Sequence, residues 1–339
     1  MNTKNIVLSS FFLITALLTE GQNINWTSSR PDGHAPISIM GDHYHKKGEI
    51  MFSYRYMPMW MDGNLSSSKN IDDENIFQNY MVAPQKMEMN MHMLGIMYAP
   101  LDNLTLMLMA NYISNTMDLK TKMGADFSTK SDGFGDLSVS GLIKIVNKNR
   151  QSLHANIGLS IPTGNIDQRG DTPMMDNAQL AYPMQLGSGT FDPFLGVTYL
   201  GQIKVISWGI QPKYKFRIGE NSAKYSLGNR LDLTCWGAVK VSNYLSFSAS
   251  LNYCIIEKID GADVDMNPMM MPLYNTNNSG RNQLDLGVGG NFYIPSGNFK
   301  NVRVGLEIKH PLIQEVNGIQ MKEKLIGVLG LQYSFGHHD

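Results

Sequence analysis

The sequence predicts an all-β chain, a transmembrane antiparallel up-and-down β-barrel of about twelve strands, and three observations support this. From Gly48 onward, apolar and polar residues alternate with a period of two in segments of about 10 to 14 residues, the pattern of strands with two unlike faces. The connections between these segments alternate strictly between short and long. Apolar residues make up 42% of the chain, yet no internal run approaches the ~20 apolar residues of a membrane-crossing helix.

Residues 1–21 read as a secretory signal: Lys4 supplies a basic n-region, Ile6 to Leu18 a short apolar stretch, and Gly21 its end, so the mature chain is expected to begin near Gln22. Residues 22–47 show no strand rhythm and are expected to be a periplasmic or plug-like segment. The barrel is expected over 48–335, with strands at 48–61, 87–99, 104–117, 136–146, 152–163, 190–200, 205–217, 229–240, 244–257, 284–294, 301–310 and 323–335. Clear apolar rows are Leu104/Leu106/Leu108/Ala110/Tyr112, Leu245/Phe247/Ala249/Leu251/Tyr253/Ile255 and Leu325/Gly327/Leu329/Leu331/Tyr333/Phe335. Several rows end in Tyr or Phe, as an interfacial aromatic girdle requires. Residues 336–339 form a short tail beyond the terminal aromatic Phe335.

Pro100–Asn103, Asn147–Gln151, Gly201–Lys204, Val241–Asn243 and Pro295–Lys300 are the tight turns. The long segments are 62–86, 118–135, 164–189, 218–228, 258–283 and 311–322. Short periplasmic turns and long external loops belong to a bacterial outer-membrane barrel anchored in lipid. A secreted all-β protein is the alternative that the alternation alone leaves open. The two cysteines, Cys235 and Cys254, fall on different strands with opposite facing, and the demanding geometry of a disulfide argues against their pairing.

If the apolar rows face lipid, the opposite rows face the lumen. They carry Arg55, Asn111, Asp136, Ser138, Lys144, His154, Asn156, Asp192, Lys213, Arg217, Arg230, Asp232, Asp285, Arg303, Glu307, Lys309 and Gln332. Both signs occur, as in an ion-paired barrel interior, and Arg230 with Asp232 and Arg303 with Glu307 read as structural pairs. On the same inward face lie Met57, Met59, Met61, Met89, Met91, Met93, Met97, Met107 and Met109. With Arg55, Asp192, Arg230 and Asp232 these form the expected solute lining, the methionines merging into one patch near the outer mouth. Met174/Met175 and Met269/Met270/Met271 fall in external loops and are expected to help close that mouth by packing.

Thioethers have two uses: adaptable apolar surface and soft ligation of Cu(I). A soft-metal site is therefore considered at Met57, Met59, Met89, Met91 and Met93 together with His34, His43 and His45. Chain direction separates these two groups, since the histidines precede the first strand on the periplasmic side. His92 shares its row with Leu94 and should face outward. No cofactor other than this Cu(I) is indicated.

The 28 basic and 29 acidic residues leave no electrostatic footprint for nucleic acid. Enzymatic motifs such as GxSxG, HExxH, CxxC or a phosphate loop are absent from the sequence, and a Ser138/His154 pair lacks a third member, so no catalytic residue is assigned.

The segments HAPISIMGDHYHKKGEIMFSYRYMPMWMDGN, MHMLGIMYAPLDNLTLM, SDGFGDLSVSGL, LSIPTGNID, YPMQLGSGT and DGADVDMNPMMMP together resemble a family of bacterial outer-membrane transporters related to the barrel proteins of the meta-pathway of phenol degradation. The resemblance spans nearly the whole mature chain and implies passage of small, hydrophobic or aromatic solutes. It carries over no catalytic residue. The expected function is a channel for such solutes with a methionine-rich lining, with a soft-metal-binding or metal-transporting barrel and a non-conducting structural barrel as alternatives. Whether twelve strands leave an open lumen depends on the loops and on whether residues 22–47 fold inward, and the oligomeric state is not legible.

Overall fold

The computed structural model describes residues 26–336; the expected signal segment 1–21 and residues 337–339 of the expected tail lie outside it. Twelve long antiparallel strands form one closed barrel: β1 Ile50–Ser66, β2 Val82–Leu101, β3 Leu104–Thr121, β4 Leu137–Lys148, β5 Gln151–Ile161, β6 Asp192–Ile203, β7 Ile206–Lys215, β8 Arg230–Lys240, β9 Leu245–Ile256, β10 Arg281–Tyr293, β11 Val302–Val316 and β12 Ile319–Phe335. Each pairs with its neighbours in sequence, and β12 returns to β1 with Ile50 opposite Phe335, Tyr54 opposite Leu331 and Ser66 opposite Ile319. Every expected strand is present.

Alternation divides the wall as the sequence pattern requires. Leu94, Ile96, Leu106, Leu108, Ile157, Val288, Leu306 and Leu329 are exposed on the outside, while their chain neighbours turn inward. Aromatic side chains ring the short-turn end: Phe52 stacks on Phe335 with centroids 5.4 Å apart, and Tyr244 on Phe292 at 6.4 Å. Tyr112 with Phe134 and Tyr214 with Phe216 stand nearer the long-loop end. An apolar belt between aromatic rows is the surface of a barrel made for a bilayer.

The strand ends depart from expectation at the long-loop end. A bilayer needs about 9 to 11 residues per tilted strand, but β1, β2, β3 and β12 run to 17, 20, 18 and 17 residues. They project beyond the apolar belt as a raised rim. The segment expected as a long loop, 311–322, is instead a continuous hairpin turning at Asn317–Gly318, where Gly318 takes the left-handed φ of 60° that a tight turn demands. The segment 118–135 holds a further strand, Asp126–Phe134, which pairs with the outer part of β3.

The remaining long loops fold over the mouth. Leu180, Tyr182 and Met184 from one loop, Tyr225 from the next and Met266, Met271, Leu273 and Tyr274 from a third pack against Met87, Met117 and Met321 of the rim. The backbone N–H groups of Met81 and Val82 both donate to the Met270 carbonyl, at 3.0 and 2.9 Å, which ties this cap to the root of β2. Of the loop methionines, Met270 and Met271 join the cap, whereas Met174, Met175 and Met269 stay exposed. Cys235 is exposed, Cys254 is buried, and both are free thiols.

A charge at the lipid midplane tests the assignment of faces. Leu306→Arg, in the middle of β11 with 55% of its surface exposed outward, is expected to cost about 2–4 kcal/mol of stability. Reversible urea unfolding in lipid vesicles measures this, and a change near zero would place β11 outside the bilayer.

Candidate transport lumen

Residues 26–49 precede β1 and thread into the lumen at the short-turn end. Irregular chain inside a barrel has no ladder partner, so the buried backbone groups that its own turns leave free must be satisfied by wall side chains. The wall supplies them from many strands. Gln202 of β6 accepts from Thr27 N at 3.1 Å and donates to Thr27 O at 2.7 Å. Ser246 of β9 donates to Pro31 O at 2.8 Å, and Ser207 of β7 to Asp32 O. Arg303 of β11 donates to Ala35 O, and Arg55 of β1 to Ile37 O at 2.8 Å. Glu307 of β11 accepts from Ser38 N at 3.0 Å, His154 of β5 donates to Gly41 O at 2.8 Å, and Thr105 of β3 accepts from His45 N at 2.9 Å.

Apolar contacts complete the plug. Trp26, Ala35 and Ile39 pack on Leu200 and Trp236. Met40 and Tyr44 pack against Met51, Met97, Met107, Met109 and Leu142. Ile37 inserts where two wall glycines face each other across the β11–β12 ladder, Gly305 opposite Gly330. A Cβ on Gly330 would lie 2.4 Å from Ile37 Cγ1, and one on Gly305 2.8 Å from Ile37 Cβ. These glycines are the spaces that admit the plug.

Above the plug the lumen opens. A cavity of about 630 Å³ has Ser38, Ile39 and Met40 as its floor. One side is a methionine wall, Met57, Met59 and Met61 of β1 with Met89, Met91 and Met93 of β2; register sets Met57 opposite Met91, Met59 opposite Met89 and Met61 opposite Met87. The other side carries Lys213, Lys215, Arg217, Arg230, Arg281 and Lys309, with Asp232, Asp285 and Glu323 among them. Arg230 holds Asp232 at 2.8 Å, Arg281 holds Glu323 at 2.6 Å, Lys309 stands 3.9 Å from Asp285, and Arg217 grips the buried Asp192. Lys213 lies over the Phe194 ring, 4.3 Å from its centroid. Among the described residues neither Lys213 nor Lys215 has a carboxylate within 4.0 Å, so this side carries surplus positive charge. A second space of about 420 Å³ beneath the loop cap shares Met61, Met89, Arg217, Arg230 and Arg281 with the first.

The expected lining thus divides by height. Met57, Met59, Met61, Met89, Met91, Met93, Arg230 and Asp232 reach the cavity. Met97, Met107 and Met109 pack against the plug, and Arg55 is spent on its backbone. Asp192 is fully buried as the partner of Arg217 and does not line the cavity. Arg230 and Asp232 pair as expected, but Arg303 and Glu307 do not pair with each other. Arg303 bonds Asn291, Gln332 and the plug, and Glu307 bonds Ser250 and the plug. Four residues along a strand span about 13 Å, too far for an ion pair. His154 lies opposite Lys144 and Ser138 opposite Ser160, so these two do not meet. His92 faces outward and bonds Tyr54 at 2.8 Å.

The histidines and the methionine wall line different spaces. His34, His43 and His45 line a cavity of about 20 Å³ between the plug and the wall, where Tyr293, Arg303 and Gln332 face them and Met51 and Glu49 stand at its edge. His34 and His43 have ring centroids 4.7 Å apart, and His43 and His45 5.0 Å. His43 donates to Asp42 Oδ1 at 2.9 Å and His45 to Glu49 Oε2 at 3.0 Å. Burial, then the charge of Arg303, pushes His34 well below the ordinary imidazole range, and burial lowers His45 too. Burial alone would raise Asp42, but the adjacent His43 outweighs it and holds the carboxyl well below its usual range.

No family model and no curated protein matches the chain by sequence. Among solved structures, an outer membrane channel from Pseudomonas putida F1 superposes with a TM-score of 0.61 at 15% identity, covering 88% of this chain and 99% of that one. The transport unit of the autotransporter AIDA-I from Escherichia coli aligns more weakly, at 0.49 and 13% identity over 88% of this chain and 93% of the other. The fold is that of a closed twelve-stranded outer-membrane barrel.

Filling the plug's socket should release the plug and leave the barrel intact. Gly330→Val places carbon within the space of Ile37 Cγ1, and overpacking of this kind costs about 1–3 kcal/mol. Hydrogen exchange of residues 30–45 is expected to speed up by roughly tenfold to a hundredfold, with strand amides unchanged; equal protection in both proteins would refute the socket.

Proposed function

We propose that this barrel is an outer-membrane channel for small amphipathic solutes with an apolar or aromatic body and an anionic group. One observation carries the reading: the cavity sets an adaptable methionine wall against a side with surplus cationic charge. The apolar body would lie on Met57, Met59, Met89 and Met91, and the anionic group would face Lys213 and Lys215. The resemblance to the phenol-degradation barrels and the likeness to a protein described as an outer membrane channel support the same class. Passage requires the plug to shift, because its floor, Ser38 to Met40, closes the cavity toward the short-turn end.

Proteoliposome uptake of benzoate, benzyl alcohol and benzylamine tests this. Benzoate is expected to enter on the order of tenfold faster than benzylamine, and Lys213→Gln with Lys215→Gln to abolish the preference. The plug and cap favour a second reading, a sealed structural barrel, which predicts no flux of any of the three. The cross-strand methionine pairs favour a third, Cu(I) held by thioethers, since directly opposed side chains on a ladder lie about 5 Å apart at Cβ. Cu(I) titration in reductant decides that reading: binding unchanged after Met57, Met59, Met89, Met91 and Met93 are replaced by Leu would sink it.

A further inference from the structure

The base of the plug loop gathers donors that the channel reading does not use. His34, Asp42 and His43 are all buried, and one ligand atom from each lies within 4.8 Å of the others. His34 Nδ1 has no hydrogen-bond partner and stands 4.0 Å from Asp42 Oδ2. That gap is too long for a hydrogen bond and a little wider than the ~3.3 Å between two ligands of a tetrahedral ion with bonds of about 2.0 Å, so a small side-chain shift brings both onto one ion. His45 Nε2, next in the row of rings, is likewise buried without a partner. The cavity of about 20 Å³ that these rings share is the size of a single ion or water.

We propose that His34, Asp42 and His43, with His45 beside them, hold one borderline divalent transition-metal ion of the Zn²⁺ type. Two or three imidazoles and one carboxylate suit such an ion, and neutral imidazole is the form that ligates. Asp42 is already aimed from outside the cluster: Oδ2 accepts from Ala35 N at 3.0 Å. Such outer contacts fix the direction of a ligand. Arg303, whose charge opposes a cation, is tethered to Asn291 and Gln332 in the wall. The ion would tie the neck of the loop 34–43, whose tip, Ser38 to Met40, floors the large cavity. This proposal stands independently of whether the barrel conducts.

The test uses the full-length, tag-free barrel in detergent, carrying His337→Ala and His338→Ala so that the terminal imidazoles do not contribute. Equilibrium dialysis against Zn²⁺ with elemental analysis is expected to find about one ion per barrel, and hydrogen exchange of residues 34–43 to slow when Zn²⁺ is added. The paired variant His34→Gln with His43→Gln is expected to raise Kd by about tenfold or more. Asp42→Asn, which can still accept from Ala35 N, is expected to weaken binding too, and serves where the paired variant fails to fold by heat-dependent gel mobility. The proposal is overturned by absence of stoichiometric Zn²⁺, by equal binding in the foldable variants, or by loss of the ion when Met57, Met59, Met89, Met91 and Met93 are replaced by Leu.

Discussion

The structure depends on one constraint: in hydrocarbon no water is present to satisfy a backbone N–H or C=O, so every strand needs a partner on both sides. The β12–β1 seam meets it. Its register runs from Ile50 opposite Phe335 to Ser66 opposite Ile319, interrupted only at irregularities near Trp60 and Met61. Once the sheet closes, the outward face can be wholly apolar, and every polar side chain the alternation produces is forced inward. The lumen therefore begins with an excess of hydrogen-bonding capacity, and the plug satisfies much of it. The plug carries the complementary deficit, an irregular backbone without a ladder. Wall hydroxyls, amides and guanidinium groups meet its carbonyls, while Glu307 and Thr105 meet its N–H groups.

This exchange gives one residue type two roles. Near the short-turn end, methionines pack around Met40 and Tyr44, where flexible unbranched side chains fill the gaps left between an irregular plug and a regular wall. Farther along the same strands, Met57 and Met59 still touch the cluster that holds Ile37, and Met89 touches the loop cap, yet with Met91 they also line the open cavity. Their chemistry is the same; how much of each side chain the plug covers separates packing from lining. The loop cap repeats the first role at the outer end, where Met87, Met117 and Met321 on the rim meet Met184, Met266 and Met271 from the loops.

Strand number, facing and order were legible because each follows from a period of two and a rhythm of turns, both local properties of sequence. The rim was less so. Residues 311–322 are polar enough to read as a loop, but Asn317–Gly318 is a strong hairpin signal, and strands beyond the bilayer no longer need an apolar outer row. The plug was legible only as a segment lacking rhythm, because what holds it is distributed over residues far apart in sequence. Gly305 and Gly330 lie in different strands, and only the β11–β12 register shows that they make one socket for Ile37. The same limit explains Arg303 and Glu307, which read as partners for each other and serve instead as partners for a chain that sequence could not place.

The plug's attachments also constrain how it can move. Its bonds arise around the barrel, from β1, β3, β5, β6, β7, β9 and β11, so no single wall strand carries it away. Losing one such bond strands a buried carbonyl or guanidinium, at a cost of about 1–3 kcal/mol. Release from one end therefore creates unsatisfied groups before it opens a path, unless water follows into the vacated space. Space for water borders the plug at both ends: Ser38, Ile39 and Met40 floor the large cavity, and Thr27, Ser29, Lys46 and Lys47 are exposed at the short-turn end. Opening from either end can rehydrate each freed group in turn, whereas His34, His43 and His45 lie buried between the two ends, where a broken contact has no water at hand.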